Sequence, residues 1–413
     1  MKHYYDLVRQ DPVWSRVISF SFILFIIRIA DGVISFWAPN LIEDTLKSAV
    51  AMGLIISFQS IVGFVVDLVF PSLLKGQTVR RMIFLSLIAI AVTSLTLFGA
   101  SYKPLILLFL LSMTLWGLYY ELINFANYEF VGSTVPLHMR AASWGIMNIF
   151  KNLAYFLGPL VGAWLLFQGE ITTLIFILLL LGIALSVYFS RKTSQVGPIE
   201  MDIRQVNPMT ELKHWLTLTE HVWPAITMSL ILGFIDATFW TTGAVWTEKL
   251  ASSSSWGGLF LPFYMLPPLF VGFLIAKKGI YRGKKVLADK FILVAGIFLT
   301  ALALSGSIVW QLSMVFLAAL ALSVSYPLLD GVYSDLAARM GKEKKHVIGL
   351  TSSIVNLSYI IWPSVAGVIT SYVGERMTFS VVGILSAITA SVLMLVIPKK
   401  IRLPETEIHS WTD

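Results

Sequence analysis

Long apolar runs joined by short polar stretches repeat along the whole chain. They fall at roughly 14–38, 48–70, 81–101, 104–130, 140–167 and 171–190, and again at 222–246, 256–276, 287–306, 309–335, 347–373 and 377–398. Each is long enough for a helix of about 20 residues to cross the hydrocarbon core of a bilayer. Strands are ruled out, because an isolated strand cannot satisfy its backbone in lipid and these runs far exceed the length of a barrel strand. The pattern predicts an all-α integral membrane protein with twelve spans. Six form an N-terminal bundle (1–190), a polar linker follows (191–221), and six more form a C-terminal bundle (222–413).

Composition agrees with a lipid-facing surface. Of 413 residues, 57% are hydrophobic and 13% charged, about half the charge a soluble domain of this length carries. The start, "MKHYYDLVRQDPVWSR", is polar for too long to read as a cleavable signal, and the first apolar run is of full spanning length. With no cysteine, disulfides, thiolate metal sites and cysteine nucleophiles drop out. The six histidines lie outside the spans without metal-ligand spacing. No phosphate-binding glycine loop with lysine is present, which argues against ATP as a direct energy source. Neither a cofactor nor an enzymatic activity is expected.

The net charge of +7 sorts by side of the membrane. The N-terminus, the linker and every second loop hold 24 lysines and arginines, against 4 in the opposite loops (Lys47, Lys103, Lys249 and Arg376). The positive-inside rule therefore places both termini and the linker in the cytoplasm, with a cell membrane as the expected location. Some of this charge suits contact with anionic lipid. Because it is spread over the loops, nucleic acid is not an expected partner.

The two halves repeat. "DGVISFWAPNLIE" from Asp31 lies on "DATFWTTGAVWTE" from Asp236, each with a second acid twelve residues on, Glu43 and Glu248. At an offset of 204, "NLAYFLGPLVG" (152–162) meets "NLSYIIWPSVAG" (356–367), so that Asn152, Tyr155 and Pro159 coincide with Asn356, Tyr359 and Pro363. Six spans repeated in one orientation imply two bundles related by a pseudo-twofold axis along the membrane normal.

On two motifs, the sequence resembles the major facilitator superfamily along essentially its whole length. After span 2 that family carries a glycine, an aspartate four residues on, and a basic turn; here "GFVVDLVFPSLLKGQTVRR" supplies Gly63 and Asp67, with Arg80 and Arg81 several residues late. The counterpart "GFLIAKKGIYRGKKV" keeps Gly272 but has Ala276 where the acid would fall. In span 5, Gly145, Ala154, Gly158, Pro159, Gly162 and Ala163 follow the spacing of the drug/proton antiporter branch, with alanine at two glycine positions. Small residues at this spacing serve close helix packing equally well. The resemblance implies alternating access. It also implies gate-like ion pairs joining Asp67, Glu129 and Asp335 to Arg80, Arg81, Arg140 or Arg339.

Ionisable residues deep in the spans carry the chemistry, since each costs at least about 2.5–3.5 kcal/mol at the bilayer centre unless it faces a partner or a cavity. Arg28 and Asp31 share a face of span 1, Glu121 lies in span 4, Lys151 in span 5 and Asp236 in span 7. Arg28 and Asp31 read either as a self-neutralised staple or as a route for charge. Asp31, Glu121 and Asp236 are the candidate proton-coupling groups. Arg28, Lys151, Asn124, Asn152, Trp240, Asn356 and Tyr359 are candidates for the substrate pathway. The antiporter branch usually carries an arginine in span 4, and this chain has none there. Aromatics such as Trp116, Tyr119, Tyr120, Tyr264, Tyr326 and Trp362 suit either an amphipathic pocket or helix packing.

The expectation is a monomeric secondary transporter coupled to protons. Export of small amphipathic or cationic compounds comes first, because acids outnumber bases at depth. Uptake of a sugar, amino acid or organic anion is the alternative, and a lipid scramblase or flippase, or a non-transporting membrane protein, forms a different class.

Overall fold

The computed structural model describes residues 12–73, 78–136, 139–190, 208–271, 283–340 and 344–396, all helical apart from short joints. The helices are α1 (Pro12–Leu46), α2 (Ala49–Leu73), α3 (Val79–Tyr102), α4 (Ile106–Thr134), α5 (Arg140–Gln168) and α6 (Glu170–Ser190). There follow α7 (Pro208–Trp240), α8 (Thr242–Ser253), α9 (Phe260–Met265), α10 (Lys284–Thr300), α11 (Ile308–Arg339), α12 (Lys344–Val373) and α13 (Glu375–Val396). Among the described residues, 11 helical stretches are long and apolar enough to cross a membrane, and a shorter apolar one, Gly257–Val271, occupies the place of the eighth span. Most of the linker expected at 191–221 lies outside the described residues; α7 already begins at Pro208.

The chain divides into two compact units. One comprises Met1–Lys47 with Ile61–Asp202, the other Ser48–Ser60 with Ile203–Asp413. Residues 48–60, the first part of α2, therefore group with the second unit. There Gly53 lies against the Pro363 backbone of α12, Gly367 against Ala49, and the Ser57 and Ser364 hydroxyls share a hydrogen bond of 2.9 Å.

Helices within each unit approach closely where side chains are smallest. In the first unit α1 crosses α5 at Gly32 and Gly158: a Cβ added to Gly158 would lie 2.6 Å from the Gly32 Cα, so only hydrogen fits. In the second unit α7 meets α12 at Gly233, where a Cβ would lie 2.5 Å from the Ser358 side chain. Such contacts let backbones touch, which in lipid replaces the hydrophobic drive that packs soluble helices.

Prolines do not end most of these spans. Pro159, Pro327 and Pro363 lie inside continuous helices, whereas Pro267 follows the interruption after α9. Span 7 is not one helix to residue 246: it breaks at Thr241, whose hydroxyl donates to the Ala237 carbonyl at 2.7 Å before α8 starts. The sequence "ASSSSWGG" suggests a slack link, yet it forms a packed turn. The Gly257 N–H donates to Ser254 at 2.9 Å, and a Cβ on Gly257 would lie 2.1 Å from the Leu250 backbone.

Candidate functional site

Asp31 is fully buried in the middle of α1. Both of its oxygens are engaged: Trp116 of α4 donates its Nε1–H to Oδ1 at 2.8 Å, and Tyr155 of α5 donates its hydroxyl to Oδ2 at 2.6 Å. Tyr120 packs beside Trp116 with ring centroids 6.0 Å apart, and against Tyr119 at 5.2 Å. The local sequence explains the geometry. Gly32 follows Asp31 directly and Gly158 lies one turn after Tyr155, so the point where α1 and α5 touch is the point that brings the phenol onto the carboxylate.

Arg28, one turn before Asp31, is 8% exposed. It makes no hydrogen bond or ion pair to any described residue and acts on the carboxylate only through space. The staple reading of Arg28 and Asp31 therefore does not hold as a contact, because Trp116 and Tyr155 occupy the oxygens an arginine would bridge.

The second unit repeats the arrangement. Asp236 of α7 accepts from the Tyr264 hydroxyl at 2.5 Å through Oδ1 and from the Tyr359 hydroxyl of α12 through Oδ2. Tyr264 is stacked on Phe239 at 3.8 Å, and the Tyr326 hydroxyl of α11 donates to the Leu232 carbonyl one turn below at 3.0 Å. Gly233 and Ser358, at the α7–α12 contact, flank this pair as Gly32 and Gly158 flank the other. Trp362 stacks on Phe234 and donates to Thr238 at 2.7 Å, a packing role. Trp240 ends α7, half-buried.

Glu121 is buried in α4, 8% exposed, with its Oε1 where a Cβ on Gly63 would come within 3.0 Å. Gly63, expected in a gate, thus makes room for the Glu121 carboxylate. Lys151 and Asn124 are exposed, while Asn152 and Asn356 are half-buried on α5 and α12. In the span-5 motif Gly158 and Gly162 pack on α1, where a Cβ added to Gly162 would lie 3.3 Å from Phe36, whereas a Cβ on Gly145 would meet nothing within 4 Å. Pro159 continues α5.

Of the expected gate residues, several have described surroundings. Asp335 pairs with Lys284 at the start of α10 at 2.7 Å, and Arg339 is exposed one turn later on α11. Arg80 lies 4.5 Å over the Phe189 ring, and the Arg81 N–H caps α3 on Thr78. Glu129 is half-buried near the end of α4. The side chains of Asp67 and Arg140, and all of Gly272, lie outside the described residues.

Two groups escaped the sequence reading. Tyr155 was visible only as a repeat match to Tyr359. Asp289, 1% exposed in α10, hides in sequence among Lys284, Lys285 and Lys290.

The profile of the Major Facilitator Superfamily matches residues 20–342. The chain belongs to that family. The superfamily fold is also the one its solved likenesses carry. The human organic anion transporter MFSD10 (TETRAN) is 17% identical, with 93% of this chain and 100% of that one covered and a TM-score of 0.65. The nucleoside transporter NupG is 14% identical, with 92% and 98% covered and a TM-score of 0.67. A mutant of the peptide transporter POT is 13% identical, with 93% and 94% covered and a TM-score of 0.71. No curated protein matches the sequence. Membership in this superfamily makes the chain a multi-pass secondary transporter of small molecules; the antiporter branch has no specific support.

Proposed function

We propose that this superfamily member couples solute movement to protons, with Asp31 and Asp236 as the groups that take up and release them. The carrying observation is the repeated cage: in each unit a carboxylate on the first helix accepts a tyrosine hydroxyl from the fifth. Asp31, held by neutral donors with no cation bonded to it, can bind a proton and lose it again without breaking an ion pair, and Asp236 likewise accepts from two tyrosine hydroxyls. Glu121, one residue from Tyr120, is a third candidate acid. Alternating access would expose these groups to each side in turn.

The cargo is a small amphipathic solute. Acid-rich depth favours a cationic compound moved outward, the reading of the antiporter branch. One observation favours the uptake of an organic anion instead: Arg28 is the buried cation of the first cage and has no bonded acid. The organic anion, nucleoside and peptide transporters among the fold's likenesses show how broad the cargo of this architecture is.

The test is flux in liposomes. Wild type, Asp31→Asn, Glu121→Gln and Asp236→Asn are reconstituted, a pH gradient is imposed, and uptake from a panel of cations, sugars, amino acids and organic anions is measured. Proton coupling requires gradient-driven flux that the Asp31 and Asp236 variants lose. Flux independent of the gradient, with all variants normal, rejects it.

A further inference from the structure

Near the starts of α7 and α12, two imidazoles meet. His214 of α7 and His346 of α12 lie edge to face, with ring centroids 4.6 Å apart and 76° between the ring planes. His346 is buried, 3% exposed, and His214 is half-buried. The pair stands about six turns of α7 before Asp236, well away from the carboxylate cage of its own unit.

We propose that His214 and His346 bind one divalent transition cation, of the zinc or nickel kind, which joins the start of α7 to the start of α12. The site goes beyond the transport reading above and does not depend on proton coupling.

The separation suits a shared ion. A tetrahedral zinc takes imidazole nitrogens at about 2.0–2.1 Å, which sets the centroids of two ligating rings about 5 Å apart. The observed 4.6 Å falls short by about half an ångström, a gap that small side-chain rotations close. The helices already hold the rings near each other. α7 and α12 touch at Gly233 and Ser358, and Tyr359 of α12 reaches Asp236 of α7. Binding therefore does not have to gather two ligands from separate places, which lowers its entropic cost. Among the described residues no third His, Cys, Asp or Glu forms a cluster with the pair, so water completes the shell. Lys213, next to His214, is exposed to solvent, where its charge is screened.

The sequence around each histidine repeats. "ELKH" (211–214) and "EKKH" (343–346) share a glutamate three residues before the histidine and a lysine just before it. A Glu-x-x-His run gives one helical face both an acid and an imidazole, a spacing that metal-binding helix bundles use in pairs. The side chain of Glu211 and all of Glu343 lie outside the described residues, and the two imidazoles are the assigned ligands. They also set the class of ion: imidazole nitrogen suits zinc, nickel and copper, whereas magnesium and calcium take oxygen. Spacing along the chain hid the pair, because its members come from different helices.

The test uses the full-length protein in detergent, freed of any affinity tag and stripped with a chelator. Zinc and nickel chlorides are titrated calorimetrically in a buffer that does not bind metal, with magnesium chloride as the control, and thermal melts are recorded alongside. Wild type is expected to bind one zinc or nickel ion per chain and to melt several degrees higher when saturated, since an ion that binds only the folded chain stabilises it. His214→Gln and His346→Gln each weaken binding by at least about tenfold, because losing even an outer partner of a metal ligand costs about 10- to 100-fold. His214→Cys, which offers a thiolate in place of the imidazole, regains zinc. His221→Gln, two turns further along α7 and hydrogen-bonded to the Thr217 carbonyl, binds as wild type does. Should the buried His346 not tolerate replacement, the half-buried His214 and its two variants decide the matter.

Three outcomes overturn the inference: wild type binds neither zinc nor nickel with a saturable stoichiometry of one per chain; binding persists unchanged in His214→Gln; or magnesium raises the melt as much as zinc does. If His214→Gln abolishes binding and His214→Cys regains it, the site stands whatever the liposome flux shows, and a failure of proton coupling leaves it untouched.

Discussion

The Tyr155 hydroxyl donates to the Asp31 carboxylate at 2.6 Å across two helices whose backbones touch at Gly32 and Gly158. The hydrogen bond and the glycine contact are one device, since Gly158 sets the distance over which Tyr155 must reach.

Gly158→Ala is therefore expected to disturb the cage. Its methyl group would collide with the α1 backbone, an overpacking of the kind that costs about 1–3 kcal/mol. A lower melting temperature in detergent, together with weakened transport, is the expected result. Gly145→Ala, where the added methyl meets nothing within 4 Å, should leave both unchanged.

Removing the phenol alone separates chemistry from packing. Tyr155→Phe keeps the ring and deletes one hydrogen bond to the ionised carboxylate, so the protonated form of Asp31 persists to higher pH. The pH profile of transport should move in the alkaline direction by about one unit, the scale of one bond to a charged group. Tyr359→Phe should do the same through Asp236. A profile that stays in place for both variants would show that these bonds do not govern the titration.

The Glu121 carboxylate and Gly63 are also coupled. Gly63→Ala forces the Glu121 side chain aside, whereas in a Glu121→Ala background the same methyl finds space. A double-mutant cycle on thermal stability should give a coupling of about 0.5–1 kcal/mol. Additive effects would contradict the contact.

The legible part of this fold was its periodicity and its misplaced charge. Twelve apolar runs, the side-sorted lysines and arginines, and the repeat were all present in the chain, and Asp31, Glu121 and Asp236 stood out because an acid in an apolar run demands an explanation. What the sequence could not say was which helices meet. Tyr155 and Tyr359 were aligned with each other, but their partnership with Asp31 and Asp236 depends on helix contacts set by Gly32, Gly158 and Gly233. Asp335 was expected to join one of four arginines, Arg339 on its own helix among them, and it bonds Lys284 across to α10. The break at Thr241 was hidden because no proline marks it.

Lys284 and Asp335 give a local prediction. The pair lies at helix ends with Asp335 largely exposed, so Lys284→Gln or Asp335→Asn should change stability by no more than about 1 kcal/mol. If the pair forms in one transport state and breaks in another, each variant alters the transport rate and the double variant adds little to either.

The central claim is that Asp31 and Asp236 carry the coupled protons. Its most direct measurement is proton flux itself: liposomes loaded with a pH-sensitive dye, no imposed gradient, and an outwardly added cargo found in the flux panel. Wild type should show acidification or alkalinisation of the lumen in step with cargo movement, and Asp31→Asn and Asp236→Asn should move cargo, if at all, without any pH change. Cargo movement accompanied by the wild-type pH change in both variants would contradict the account.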